Sequence, residues 1–562
     1  MTRINRPGPK ATSCLTCKNR HQKCDRRLPR CERCQRKGLD CLGYGYISDT
    51  RPRESSLRTQ PTLSLPRPPR AGGSGYSGEL PTVSSSQGGL PEAALTPAPS
   101  LAVDTNVNTR NEIHNTWFSD TGSNASPDLW TANDLALCQT KSISLTSGPM
   151  STFRNLAGLY LQLPRYSFNP LKIFFTNPSF DYYLWTQYTK LAGKWYFKPA
   201  NMHKQTFEQC IAHPLQTSPT DYSRWIALIS LGICEALLTE DGSQDQLHSL
   251  WIKYIEGSLR RELSYDTASR DLQSRRRDWV HVSLLSTLVI HSSDVYQVLR
   301  SVSPAFLQSA FSNPALWPSG SNPAYIPLMS VLTVGSHELA YFALIDCTCA
   351  MTLGVPQLVE YNTTIYAPNA TPSHQWAHGS PTEFQVVLAE INACRDKSPA
   401  ARDWREIERW LLEWRSRPGE HTFTESWMTV AWYAVQESWR LALLVYLYLA
   451  VCGNASDDPR IQTYVKQLLQ VLGTVKERES TSAEVPFLVQ YLVAGICARS
   501  EAQRKVVFSA LENTKQPKMW IMRGSDFLPV LDHLWHGAAV GGRPVNWSDY
   551  MRSREAALPV LL

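Results

Sequence analysis

Residues 14–41 run CLTCKNRHQKCDRRLPRCERCQRKGLDC, with cysteines at Cys14, Cys17, Cys24, Cys31, Cys34 and Cys41. The spacing C-x2-C-x6-C occurs twice, and each cysteine of the second half lies 17 residues after its counterpart in the first. A C-x2-C pair places two thiolates on one side of a helical turn, the grip that a tetrahedral zinc needs. Six thiolates cannot fill the eight positions around two separate zincs. If Cys14 and Cys31 each bridge both metals, all eight are filled at the usual Zn–S length of about 2.3 Å. Two Zn²⁺ and six thiolates then sum to a negative cluster, which the surrounding Lys and Arg offset. A single four-cysteine zinc with spare thiols is the competing reading.

Charge and cysteine are distributed unevenly outside this stretch. Residues 1–70 hold 17 Lys and Arg against 5 Asp and Glu, whereas residues 71–562 hold 39 against 44. A basic head on a mildly acidic body is the split expected of a polyanion-binding head, with nucleic acid as its partner. The other cysteines are scattered, at Cys138, Cys210, Cys234, Cys347, Cys349, Cys394, Cys452 and Cys497. In a reducing compartment they read as buried thiols, and the clustered six read as a metal site and not as a disulfide framework. The longest apolar run, Leu441 to Cys452, has twelve residues and is too short to span a bilayer. The N-terminal residues lack an apolar signal core, so a chain without a membrane partner is expected.

Four segments follow from composition. Residues 1–13 read as a basic disordered tail and 14–42 as the cysteine module. Residues 43–149, rich in Pro, Ser, Gly and Thr, read as a disordered linker. Residues 150–562, dense in Leu, Trp, Tyr and Ala at helical spacing, read as one large all-α domain. In RDWREIERWLLEWRSR, Trp404, Ile407, Trp410, Leu411 and Trp414 recur every three to four residues. TVAWYAVQESWRLALLVYLYLAVCG reads as a helix buried on most sides, with Gly453 placed to end it. Strand-like alternation is confined to VEYNTTIY. The fold class expected is mostly α, with a small metal module and a linker before it.

The cysteine segment resembles the fungal binuclear zinc-cluster (Zn2Cys6) transcription factors. The resemblance rests on the spacing, on the basic run from Cys17 to Asp25, and on Pro29 in the loop between the halves. It implies two Zn²⁺ held by the six cysteines and a first half that docks in the major groove of double-stranded DNA, reading a short, often CGG-type, triplet. It also implies that Lys18, Arg20, His21 and Lys23 form the DNA face. His21 stands three residues before the third cysteine, where the family has Lys or Arg. A neutral imidazole offers one donor where an ammonium offers three, so Lys23 or Arg20 is expected to take over part of the base contact. Arg26, Arg27 and the rest of RRLPRCERCQRK are expected to neutralise phosphates, which fixes register and makes binding salt-dependent. The same basic patch, with Arg30, Arg33, Arg36 and Lys37, would serve as a nuclear import signal.

The body resembles the helical regulatory regions of such regulators, especially those of basidiomycete type. SHELAYFALID, AEINACR, ESWRLALLVYLYLAVCG and RGSDFLPVLDHLWHG carry this likeness. Catalytic patterns fail one by one. His337-Glu338 lacks the second histidine of a zincin because position 341 is Tyr; Cys347-x-Cys349 points its thiols to different helix faces; Asp532-His533-x-x-His536 reads as surface and capping residues. Gly73-x-Gly75-x-x-Gly78 has neither the preceding strand nor the following helix of a dinucleotide site. No enzyme is expected. Residues 112–138 interleave acids with aromatics and read as an activation segment for a coactivator or corepressor, or as the first packed strap of the body.

The function expected is a sequence-specific DNA-binding transcription regulator of the RNA polymerase II type, acting in the nucleus. The alternative is a helical scaffold or ligand sensor whose zinc module tethers nucleic acid without sequence preference. Gly43, Gly45 and the prolines from Pro52 to Pro69 break any coiled coil after Cys41, so residues 1–70 are expected to bind DNA as a monomer. Dimerisation, if it occurs, is expected in the helical body.

Overall fold

A computed structural model describes residues 14, 16, 17, 20, 22–25, 27, 30–39 and 41 of the cysteine module. It further describes 145, 147–162, 178–198, 221–264, 269–333, 336–365, 375, 378–416, 423, 425–475, 485–512 and 522–561. The chain divides into two units, Met1–Ala98 and Pro99–Leu562. Among its described residues the first carries the short helix α1 (Glu32–Arg36), and Thr16 and Cys17 are helical as well. The basic tail, nearly all of the linker and residues 112–138 lie outside the described residues.

Among its described residues the second unit is mostly helical, as its periodicity suggests. Its first helices are α2 (Pro149–Gln162), α3 (Pro178–Ala192), α4 (Asp221–Thr239), α5 (Asp245–Glu262) and α6 (Ser269–Ser286). Phe153, Leu184, Trp225, Trp251 and Leu259 form their common core. The Trp225 and Trp251 rings stack at 4.6 Å, an arrangement that adds attraction to their large apolar area. The α2 start, at the linker's expected last residue, is fixed by the Met150 amide donating to Glu235 Oε2 of α4 at 2.8 Å. By length and composition Tyr222–Thr239 of α4 is apolar enough to cross a membrane; 56% of it is buried in this core.

A larger core follows. Its helices are α7 (Val295–Phe311), α8 (Leu328–Thr333), α9 (His337–Leu353), α10 (Thr382–Arg395), α11 (Trp404–Glu413), α12 (Ser426–Ala450), α13 (Pro459–Leu472), α14 (Leu488–Ile496), α15 (Glu501–Glu512), α16 (Leu528–His536) and α17 (Trp547–Ala557). Helix α6 is the wall between the two cores: Val282 and Leu285 face the first, and Val280 and Leu284 the second. Among the described residues the strand content is one parallel pair, β1 (Ile326–Pro327) with β2 (Tyr361–Asn362). VEYNTTIY therefore yields two residues of strand.

Helix α12 is the spine of this core. Trp432, Trp439 and the run from Leu441 to Leu449 are buried on every side against α10, α11, α13 and α14. It ends as its sequence suggests: Gly453 takes a left-handed φ of +70°, and the Asn454 amide donates to Tyr448 O at 2.9 Å. Asp458 then caps α13 through the Arg460 amide at 2.9 Å, with Pro459 in the first turn. Helix α11 is shorter than its tryptophan spacing suggests. Ile407 and Leu411 are fully buried, but Trp414 leaves the helix with ψ 138°. Its indole instead donates to Glu383 Oε1 at 2.7 Å, and this tertiary bond outweighs one more helical turn.

AEINACR owes its polar residues to a buried junction. Asn392 donates to Cys347 O and Gln357 Oε1, both at 2.9 Å, and accepts from Tyr446 Oη at 2.7 Å. Arg395 donates to Ala350 O at 2.6 Å, Val355 O at 2.7 Å and Tyr446 Oη at 3.0 Å. One guanidinium thus joins the end of α9, where orphan carbonyls and the dipole favour a cation, to α10 and α12.

Candidate metal centre and nucleic-acid interface

The two halves of the cysteine module repeat a hydrogen-bond pattern as well as a spacing. The Cys17 amide donates to Cys14 Sγ at 3.4 Å, and the Cys34 amide to Cys31 Sγ at 3.3 Å. The Cys14 amide donates to Cys24 Sγ at 3.3 Å, and the Cys31 amide to Cys41 Sγ at 3.4 Å. The Gln22 amide donates to Cys17 O and the Leu39 amide to Cys34 O, both at 2.9 Å. Each bond in one half has its partner 17 residues away. In the second half Cys31 serves as the N-cap of α1, and Gly38, at φ +62°, lets the chain turn back towards Cys41.

The sulfurs fall into two sets of four, Cys14, Cys17, Cys24 and Cys31, then Cys14, Cys31, Cys34 and Cys41. Within each set all sulfurs lie within 4.8 Å of one another, and the two sets share Cys14 and Cys31. The Sγ separations are 3.6 Å for Cys14–Cys31, 3.7 Å for Cys17–Cys31 and 3.9 Å for Cys14–Cys34. A tetrahedron with Zn–S bonds of about 2.3 Å has edges of about 3.8 Å. Cys17 and Cys34, of different sets, are also 3.7 Å apart, so these distances alone admit four sulfurs around one metal; the two sets that share Cys14 and Cys31 are what fits two metals with two bridging sulfurs. Burial foremost, with hydrogen bonds among the cysteines, pushes the Cys14 thiol up to about 12 and raises Cys17 and Cys31 as well. A pair of dications reverses that preference, because metal-bound thiols are deprotonated.

The basic residues differ in what they meet, and Arg30 and Lys37 are exposed. Arg20 and Lys23, both in the first half, are exposed. Arg27 and Arg36 are held by Glu32, at 3.2 Å and 2.9 Å. Lys18, His21 and Arg26 lie outside the described residues. Arg33 departs from the expectation of a solvated basic patch. Its Nη1 donates to Lys23 O at 3.2 Å and its Nη2 to Gln22 Oε1. Asp25, passed over by the charge reading, accepts from the Glu32 amide at 3.0 Å and the Arg33 amide at 3.2 Å. Those amides at the start of α1, the Glu32 one foremost, hold the Asp25 carboxyl below its usual value. No local capping pattern announces Asp25, since it stands outside the turn that it caps.

In the body, the residues weighed for catalysis pack as structural groups. Glu338 is buried and accepts from the Ser336 hydroxyl at 2.7 Å. Cys347 and Cys349 are core residues whose thiols burial raises. His533 pairs with Ser553 at 3.1 Å, and His536 with Asp532 of its own helix at 3.1 Å. The cysteine sets are the only groups of three or more metal-capable side chains among the described residues.

Comparison with known proteins bears on both units. A family model described as the fungal Zn(2)-Cys(6) binuclear cluster domain matches residues 12–50. A second, described as the fungal specific transcription factor domain, matches residues 382–559. White-opaque regulator 2 of Candida albicans (strain SC5314 / ATCC MYA-2876) is 46% identical over 55 residues, covering 10% of this chain and 12% of that protein. No solved structure matches the chain. The module is a binuclear cluster that takes two zinc ions.

Proposed function

We infer, from a chain that carries both domains of the fungal zinc-cluster transcription factors, a DNA-binding transcription regulator that reads one short base sequence, of CGG type, through its first half. The zinc ions would be held by Cys14, Cys17, Cys24, Cys31, Cys34 and Cys41, with Cys14 and Cys31 shared. Zinc supplies the cross-link that a module with almost no apolar core needs to fold. Arg20 and Lys23 would reach base edges together with Lys18 and His21, while Arg26 would meet phosphates and Arg27 would do so fully only when its pair with Glu32 opens.

The observation that supports this reading is the set of exposed cations that flanks the cysteine sets. In the second half Glu32 sits between Arg27 and Arg36 and offsets their charge. In the first half Arg20 and Lys23 are exposed beside the metal set. A nucleic-acid backbone is drawn to exposed cations, here Arg20 and Lys23 of the first half together with Arg30 and Lys37. The helical body would act in the nucleus as the surface for a coactivator or corepressor and for any dimerisation.

Selection of bound duplexes from random DNA by the full chain, loaded with zinc, tests the reading. One enriched motif containing a CGG-type triplet is the expected result. A regulator favours its site over random duplex by at least about 10³-fold. Equal retention of all sequences would make the module a non-specific tether and overturn the proposal.

A further inference from the structure

We propose that Arg33 is a positioning residue: from the second half of the module it fixes the backbone of residues 22–25, from which the first half presents Lys23 to DNA. The proposal rests on the DNA-reading role given to that half above. Residues 22–25 belong to no helix or strand. They carry an exposed lysine whose long side chain can aim at a base only if its backbone is held. Arg33 holds it from α1, with one guanidinium nitrogen on Lys23 O at 3.2 Å and the other on Gln22 Oε1. Asp25 closes the same junction from the opposite direction, accepting from the Glu32 and Arg33 amides at 3.0 and 3.2 Å. The four bonds tie two adjacent residues of the second half to three residues of the first.

The arrangement also separates Arg33 from the phosphate-binding arginines. A guanidinium recognises phosphate by presenting two parallel N–H groups as a fork. Here one N–H of Nη1 and one of Nη2 are engaged by acceptors within the module, which anchors the guanidinium in place. Lys23 keeps its side chain exposed while its carbonyl is held, so the restraint acts on the backbone and leaves the ammonium available. A contact residue that is left to an unsupported loop reads its target poorly, and the supporting shell decides precision.

The test compares zinc-loaded full-length R33Q, R33K, Q22A and R30Q with the parent protein. Binding is measured by fluorescence anisotropy on the selected duplex and on a scrambled one across a range of salt concentrations, and zinc by elemental analysis. R33Q should lower the selected-to-scrambled ratio about tenfold. It should do so with two zincs retained, with scrambled binding unchanged and with the salt slope unchanged. Q22A removes one acceptor and should lower the ratio less. R33K, which keeps the charge but not the fork, should fall between the parent and R33Q. R30Q, changing an exposed arginine, should instead reduce the slope by about 0.9 and leave the ratio intact.

A slope reduced by R33Q would make Arg33 a phosphate contact, and an unchanged ratio would remove its role; either overturns the proposal. Zinc loss in R33Q and R33K together would assign Arg33 to the scaffold of the metal site, which also overturns it. A parent protein that selects no duplex fails the functional reading itself, a result visible before any variant is made.

Discussion

Arg395→Met removes the cation at the junction of α9, α10 and α12 while keeping a side chain of similar length. The guanidinium is 6% exposed and serves Ala350 O, Val355 O and Tyr446 Oη. Deleting one partner of a buried charged network costs about 3–5 kcal/mol, because the groups left behind stay desolvated. Asp396 also loses its partner, but at 27% exposure it recovers hydration, which favours the lower end of that range. The unfolding entropy of about 2.1 cal/mol/K per residue, over a body of about 400 residues, converts the loss into a melting temperature lower by about 4 °C. R395K keeps the charge but cannot span three acceptors, so it should fall by about half as much. Differential scanning calorimetry of the full chain measures both, with zinc content as the control that the module is untouched. An R395M transition within 1 °C of the parent would refute the reasoning, since the network would then be contributing little.

Three further outcomes follow from the same geometry. Elemental analysis of the purified chain should give two zincs, and a strong chelator should abolish duplex binding while leaving the body's calorimetric transition in place. E32Q releases Arg27 and Arg36, and should strengthen binding to scrambled duplex several-fold at low salt while steepening the salt slope; an unchanged slope would mean that those arginines do not approach phosphate. Burial raises the Asp346 carboxyl to about 7 although it accepts from the Leu358 amide and the Tyr361 hydroxyl. Between about pH 4 and 7 the folded body therefore holds a proton that the unfolded chain has released, so this group makes stability fall as pH rises through that window. D346N should flatten that part of the pH profile in thermal melts.

The metal site was legible in the sequence because all its ligands lie within one short segment, and spacing alone brings six thiolates together. The helical class was legible for a similar reason: periodicity over α4, α5 and α12 is a local property. Arg33 was not legible. An arginine that holds a neighbouring backbone and one that lies in solvent have the same letter and the same charge, and only the fold separates Arg33 from Arg30. Trp414 illustrates the converse failure, since its spacing continues a helix while its indole finds a better partner in Glu383. Asn392 and Arg395 stood in AEINACR with nothing local to mark them as buried. Their partners Cys347, Val355 and Tyr446 are distant in sequence, so no local pattern could show that junction.

The sharing of Cys14 and Cys31 between the two sulfur sets has a consequence for how the module fills. Each half contributes three sulfurs and each metal needs four, so neither half can complete a site alone. The first ion to bind would draw both halves together, and in doing so would hold two sulfurs of the other set, Cys14 and Cys31, beside the open position. The second ion would meet a site whose chain entropy is partly spent, which would make uptake cooperative and keep the one-metal species scarce. Scarcity of zinc then divides a population of these chains into filled and empty molecules, with few in between, and the number of DNA-competent copies follows metal supply as a threshold and not as a gradient.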